Sequence, residues 1–308
     1  MKKIGVITGT RAEYGLLKPL ITKLNMAVDL ELQLIVTGMH LSPEFGLTYQ
    51  EIEQDGFKIK ERNEMLLSSD TPNGITKSMG VAIIGFADIY TRIAPDIVII
   101  LGDRYEAFAA ASAAMIHRIP IAHIHGGELT EGLIDDPIRH SITKMSSLHF
   151  TSTEQYRQRV IQLGEQPTTV VNVGALGIEN IKEQKLLSKQ DLAQRIDFSL
   201  DKPYFIVTFH PVTLEDNTAE VQFENLLNAL DTFTEYRIIF TKANADTDGR
   251  IVNSLIDEYI VKNKERAVAF TSVGMLRYLS ALKYCEMVIG NSSSGILEAP
   301  SFHIPTVN

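Results

Sequence analysis

Short runs of Val, Ile, Leu and Phe recur along the chain, separated by longer amphipathic stretches. The runs show little polar alternation, as strands covered on both faces do. Strands are predicted over 3–9, 31–38, 96–102, 119–125, 148–152, 169–173, 204–209, 237–241, 267–271, 287–290 and 304–307. Helical spacing fills the gaps, for example over 12–25, 76–93, 106–117 and 221–230. Repeated strand–helix–strand order predicts an α/β protein with parallel sheets. The pattern breaks in the charged segment 174–202, just before Pro203 and a new series of strands. The chain is divided there into two Rossmann-like domains, 1–180 and 181–308, whose sheets are expected to face a cleft. The predicted strand 304–307 has no helix after it, and a parallel sheet wants its last strand covered. The sequence is therefore expected to be truncated.

Composition narrows the classes. Over 308 residues, 44% are hydrophobic and 22% charged, as in a globular protein rather than a disordered one. The net charge of −9 speaks against a nucleic-acid partner. It also means that an anionic ligand must be held by local positive charge. The single cysteine, Cys285, excludes a disulfide framework and fits a reducing cytoplasm. The apolar run after Lys3 is too short for a signal peptide, and no stretch approaches a membrane span. No membrane partner is expected.

The residue types suited to chemistry gather between 96 and 144, much of them at predicted strand ends. In open α/β sheets ligands bind beyond the carboxyl ends of the strands. Asp103 follows the run DIVIILG, where it serves either as a helix cap or in the site. His123 and His125 alternate on a strand and are expected to share a face. That spacing raises a zinc reading, but zinc needs further ligands, and none is evident; no metal is expected. Gly126 and Gly127 permit positive φ or close approach to a ligand. Asp135 and Asp136 precede Pro137, a helix-start signal that assigns capping to one of them, Asp136. Asp136 and His140 are spaced to share a helix face.

Three further turns suit phosphate. Gly9-Thr10-Arg11 opens a helix, where backbone N–H groups are expected to be free for an anion and Arg11 offers a forked donor. It is neither GxGxxG nor a P-loop. His210 stands before Pro211 at the first strand end of the second half. Ser292 and Ser293 lie in GNSSSGILE, a strand-to-helix turn suited to a diphosphate, with Glu298 spaced to accept from ribose hydroxyls. The loop beginning at Asn244 resembles a calcium loop, but position 255, where a closing Glu belongs, is Leu255. Together these turns point to an enzyme acting on a nucleotide diphosphate compound.

GTRAEYG, LGDR, HIHGGE, IDDPIRHSITK, FHPVT and GNSSSGILE, in that order over nearly the whole chain, resemble the UDP-N-acetylglucosamine 2-epimerase family, and within it the hydrolysing branch of sialic-acid and legionaminic-acid pathways. The resemblance implies the two-domain GT-B fold and conversion of UDP-N-acetylglucosamine and water into N-acetylmannosamine and UDP. UDP-N,N′-diacetylbacillosamine is the alternative substrate. It matches Asp103, Asp135 and His210 to catalytic positions, and Arg11, Asn244, Ser292, Ser293 and Glu298 to UDP-binding ones. Relatives often read HIEGGE, so either Glu128 or His125 takes the role of that glutamate. The implied reaction eliminates UDP to a glycal and then adds water, with no cofactor. The family also implies a homo-oligomer. A GT-B glycosyltransferase and an inactive UDP-sugar-binding homologue are the competing readings.

Overall fold

The computed structural model describes residues 1–130, 133–211, 218–243, 249–271 and 273–308. It divides into two compact units, Met1–Leu176 and Gly177–Asn308.

The first unit holds β1 (Lys2–Thr8), β2 (Leu30–Thr37), β3 (Ile59–Asn63), β4 (Ile97–Leu101), β5 (Ile121–Ile124), β6 (Leu148–Thr151) and β7 (Val170–Asn172). They form one sheet in the order β3-β2-β1-β4-β5-β6-β7, every pair parallel. Successive side chains on a strand point to opposite faces. Val6, Leu34, Val36, Leu101 and Ile124 therefore enter one core, packed with Tyr14, Leu17 and Ile21 of the helix Arg11–Met26. Ile7, Ile35, Ile100 and Ile121 enter the other, with Phe86 and Tyr90 of the helix Pro72–Ile93. This double burial explains the unbroken apolar runs and bears out the expected α/β class.

The helix Tyr105–Ile116 is almost uniformly small and apolar, YEAFAAASAAMI. Its alanines let it lie close to the sheet and to the helix Pro72–Ile93, whose Tyr90 hydroxyl donates to the Ala110 carbonyl at 3.2 Å. The N-terminal end of the Tyr105–Ile116 helix, beside Asp103, is thereby held on a packed scaffold.

The second unit holds β8 (Tyr204–Thr208), β9 (Arg237–Thr241), β10 (Ala267–Phe270), β11 (Met287–Ile289) and β12 (Thr306–Val307), in the order β10-β9-β8-β11-β12, again all parallel. Tyr204, Ile206, Ile239 and Val288 face one core, and Phe205, Val207, Ile238 and Phe240 the other. In each sheet the chain order reverses next to its first strand, between β1 and β4 and between β8 and β11. Those switch points are where doubly wound sheets bind ligands. Among the described residues no helix is long and apolar enough to cross a membrane.

One strand was absent from the sequence prediction. β3 reads IKERN and alternates between partly buried and exposed positions. It lies at the sheet edge, where charged side chains block further pairing. Glu61 pairs with Arg92 at 2.9 Å and Arg62 with Glu53. Its charge conceals it from a search for apolar runs.

Gly290, directly after β11, has φ +116, and a Cβ there would lie 1.9 Å from the Thr208 carbonyl oxygen. Gly46 also has positive φ, +84, but faces open space. Gly46→Ala should cost only the backbone strain, about 1–2 kcal/mol. Gly290→Ala should cost distinctly more, because the Thr208 strand end must move as well. Urea unfolding of both variants checks this; equal losses would contradict it.

Candidate active site

The carboxyl ends of β4, β5 and β6 carry a compact set of charged and imidazole groups. β4 ends at Leu101, and Gly102, with φ +75, turns the chain into Asp103. Asp103 forms an ion pair with Arg139 of the helix Asp135–Met145. The exposures are 17% for the Asp103 side chain and 8% for that of Arg139. Asp103 does not cap the next helix, whose N-cap is Arg104. Burial pushes its carboxyl above the usual range, against the attraction of Arg139 and Arg104, and the negative charge of Glu128 adds to the rise.

His123 lies inside this frame with no exposure. Its Nε2 is 2.7 Å from the Gly102 carbonyl oxygen and its Nδ1 3.1 Å from Thr143 Oγ1. A carbonyl only accepts, so Nε2 carries the proton and Nδ1 accepts from the threonine hydroxyl. Burial pushes this imidazole down to about 3, so it is neutral. Both nitrogens are occupied, which removes His123 from the zinc reading. Among the described residues no group of three or more His, Cys, Asp or Glu side chains is arranged to hold a metal.

His125 does not continue the strand alternation. β5 ends at Ile124, and His125 has φ +64, a conformation that costs a side-chain-bearing residue about 1–3 kcal/mol. Its N–H still reaches across to the Phe150 carbonyl at 2.8 Å. The ring Nε2 accepts from the Leu176 N–H at 3.4 Å, and Nδ1 lies 3.5 Å from Glu128 Oε1. Ser152 Oγ donates to that same carboxylate oxygen at 2.6 Å. Burial lowers the His125 imidazole, Glu128 opposes, and Arg139 lowers it further. Asp103, His123, His125, Glu128 and Arg139 thus act on one another as one electrostatic cluster. Gly126 and Gly127 serve packing: a Cβ at Gly126 would be 3.0 Å from Thr143 Oγ1, and one at Gly127 2.5 Å from the Tyr156 carbonyl oxygen.

Asp135 is the first residue of its helix, one turn ahead of Arg139 and on the same face. Asp136 is not the cap expected of it. The N-cap is Ile134, which makes no side-chain bond, and Pro137 is the third helical residue. Asp136 Oδ1 instead accepts from the Thr130 N–H at 3.0 Å, and Oδ2 lies 3.6 Å from His140 Nε2.

The turn after β1 also departs from expectation. Thr10 caps the Arg11–Met26 helix, and Glu13 completes the capping box. Glu13 Oε2 accepts from the Gly9 and Thr10 N–H groups at 2.7 and 3.0 Å, so those amides are not free for an anion. Arg11 is ion-paired with Glu51. Against Gly9 lies buried Glu106, whose Oε1 would be 2.6 Å from a Cβ at that glycine and accepts from Arg104 Nε at 2.7 Å. Burial, and then the charge of Glu106, push Glu13 up to about 8. Sequence reasoning overlooked this acid pair. The local sequence hid it: an acid in the first turn of a helix reads as an ordinary complement to the helix dipole, and only the fold buries Glu106.

In the second unit, Asn291 clasps the backbone of His210 across the β8–β11 switch point. Its Oδ1 accepts from the His210 N–H, and its Nδ2 donates to the His210 carbonyl, both at 2.7 Å. Ser292 and Ser293 follow, and Ser294 Oγ accepts from the Tyr278 hydroxyl at 2.6 Å. Glu298 is buried, and its carboxyl is raised by that burial. Gly177 makes room for it, since a Cβ there would lie 2.6 Å from Glu298 Oε1. Asn291 and Gly177 are the residues sequence reasoning did not single out. Asn244 lies outside the described residues.

The sequence pattern of the UDP-N-acetylglucosamine 2-epimerase family matches residues 22–308. The chain is 46% identical over 307 residues to the GDP/UDP-N,N′-diacetylbacillosamine 2-epimerase (hydrolyzing) of Campylobacter jejuni, covering 100% of this chain and 80% of that one. It is 44% identical over 309 residues to the polysialic acid biosynthesis protein P7 of Escherichia coli, covering 100% and 78%. It is 36% identical over 308 residues to the UDP-N,N′-diacetylbacillosamine 2-epimerase (hydrolyzing) of Legionella pneumophila, covering 100% and 81%. Among solved structures it resembles the Methanocaldococcus jannaschii UDP-GlcNAc 2-epimerase in complex with UDP-GlcNAc and UDP, with a TM-score of 0.77 at 22% identity over 99% of this chain and 83% of that one. That likeness supports the GT-B-like fold and nothing finer.

The raised carboxyl of Glu13 sets a pH dependence. The fold favours its protonated form, so stability is greatest below the ordinary value of 4.5 and declines as pH rises towards about 8. Glu13→Gln has no proton to lose. Its stability relative to the parent chain should therefore rise between pH 5 and 8, by up to about 1.4 kcal/mol per pH unit. Urea unfolding at pH 5, 6.5 and 8 measures this; a difference constant with pH would contradict it.

Proposed function

The chain belongs to the UDP-N-acetylglucosamine 2-epimerase family, and from that premise we propose that it is a hydrolysing 2-epimerase of a UDP-activated 2-acetamido sugar. The observation that carries this is the buried Asp103–Arg139 pair in one cluster with His125 and Glu128, at strand carboxyl ends beside a switch point. An ionised carboxylate of raised basicity, held beside other proton-carrying groups, is what removal of a carbon-bound proton requires.

The steps follow from the chemistry of the substrate. Asp103 takes the proton at C2, and the released electron pair forms the C1–C2 double bond. The C1–oxygen bond breaks with its electrons going to the diphosphate, and UDP leaves. Water then adds across the glycal, its hydroxyl to C1 and a proton to the opposite face of C2. His125 and Glu128 act as a pair at this second step, with Glu128 holding the imidazole, and Asp135 shares in activating the water. Such groups typically contribute about 10²–10⁴ each. His210, Ser292 and Ser293 receive the charge that develops on the diphosphate, and Glu298 accepts from the ribose. Arg11 and Asn244 are further candidates for the nucleotide.

The names of the Campylobacter and Legionella relatives favour UDP-N,N′-diacetylbacillosamine as the sugar nucleotide. UDP-N-acetylglucosamine, giving N-acetylmannosamine, is the second candidate. Incubating each alone with the chain and identifying products by mass spectrometry distinguishes them. It also separates the epimerase from a glycosyltransferase, which needs an acceptor.

In D₂O the sugar product should carry deuterium at C2. Product without it would exclude elimination and hydration. Asp103→Asn should lower kcat by about 10²–10⁴ and abolish exchange at C2. Full turnover in that variant would remove Asp103 from the chemistry.

A further inference from the structure

Arg139 has so far served only as the partner of Asp103, yet most of its guanidinium is unused. The residue is 7% exposed. Nη2 engages Asp103 Oδ2, while Nε and Nη1 are buried with no hydrogen-bond partner among the described residues. Guanidinium presents its donors in a rigid fork, and a carboxylate pair often uses two of its nitrogens. Here one is used. Buried donors left unpaired are costly, and charged ones more so.

Neighbouring side chains do not supply the missing acceptor. His123 is occupied at both nitrogens, by Gly102 and Thr143. His125 Nε2 accepts from Leu176, and its Nδ1 faces Glu128. Glu128 Oε1 already accepts from Ser152. Among the described residues no acceptor meets these two Arg139 nitrogens, and a ligand can supply one. Its charge is constrained as well. Arg139 already balances Asp103, and Glu128 adds negative charge close enough to raise Asp103. A second anion would crowd these carboxylates. A neutral oxygen is favoured, and an amide carbonyl is the strongest neutral acceptor a sugar carries.

We infer that Arg139 is the acyl-amide recognition group of this site, donating from Nη1, beside the Nη2 that holds Asp103, to the carbonyl oxygen of the substituent on C2. Its role rests on the 2-epimerase chemistry proposed above. C2 is the carbon whose proton Asp103 would take. One guanidinium holding both the base and the acetamido oxygen fixes the distance between them. It also selects sugar nucleotides bearing a 2-acetamido group over those with a 2-hydroxyl, which cannot reach the fork and leave it unpaired.

The test is equilibrium binding in an Asp103→Asn background, where ligand is not consumed and the amide oxygen still accepts from Arg139. UDP-N-acetylglucosamine should bind about tenfold or more tighter than UDP-glucose, the scale of a hydrogen bond to a charged donor. Adding Arg139→Lys keeps the charge but loses the fork. The preference should then fall below about threefold, while UDP itself binds within about threefold of its former affinity, which also reports folding. An undiminished preference, or none before the second substitution, would overturn the inference and leave the 2-epimerase reading intact. Loss of all UDP binding in the Asp103→Asn chain would instead bring down that reading and the inference with it. A ligand-side measurement needs no change at Arg139. Replacing the acetamido group with trifluoroacetamido, a weaker acceptor of similar shape, should weaken binding severalfold; equal or tighter binding would overturn the role of Arg139.

Discussion

Taking the Asp103 carboxylate and the Arg139 guanidinium out of water costs several kcal/mol per ion, and only close pairing with further hydrogen bonds offsets it. Much of the first unit is arranged around that requirement. Gly102 turns the chain so that Asp103 meets the Asp135–Met145 helix. His123 bridges the Gly102 carbonyl and Thr143 of that same helix, with no proton to gain or lose near neutrality. A Cβ at Gly126 would press on Thr143 and His123 together, at 3.0 and 3.1 Å. The ion pair, the neutral imidazole and the glycine therefore constrain one another. A change at any of them would be felt at the carboxylate.

The second unit meets the analogous requirement with neutral groups. Gly290 lets β11 pass against the Thr208 carbonyl, and Asn291 then grips His210 from both its backbone groups. Asp103 is held by a helix residue 36 positions on, and the His210 backbone by a residue that follows the neighbouring strand.

The turn after β1 illustrates how a local motif can be overruled. Gly-Thr-Arg at a helix start has the form of an anion site. Glu13 occupies its amides, and Glu51 holds its arginine. The cap is satisfied internally, at the cost of burying Glu13 beside Glu106. Arg104 pairs with Glu106 and also lowers Asp103, so it links this acid pair electrostatically to the cluster on β4.

Sequence alone determined the α/β class, the parallel strands and the family. Residues 237–241 were read as a strand to the residue, and most other strands to within one or two. The reason is that burial on both faces writes itself locally, as an unbroken apolar run. β3 escaped because an edge strand can be charged. Asp103, His125, Glu128 and Arg139 were visible as chemically able residues, but their partners were not. Asp103 and Arg139 are 36 residues apart, and Gly102 and His123 are 21 apart. Such pairings follow from the register of parallel strands and the seating of a helix. The same holds for Asp136, which tethers a loop where a cap was expected, and for the left-handed backbone of His125. Which group caps, which pairs and which stays neutral is set by what the folded chain brings within a few ångströms, and no one-dimensional pattern encodes that distance.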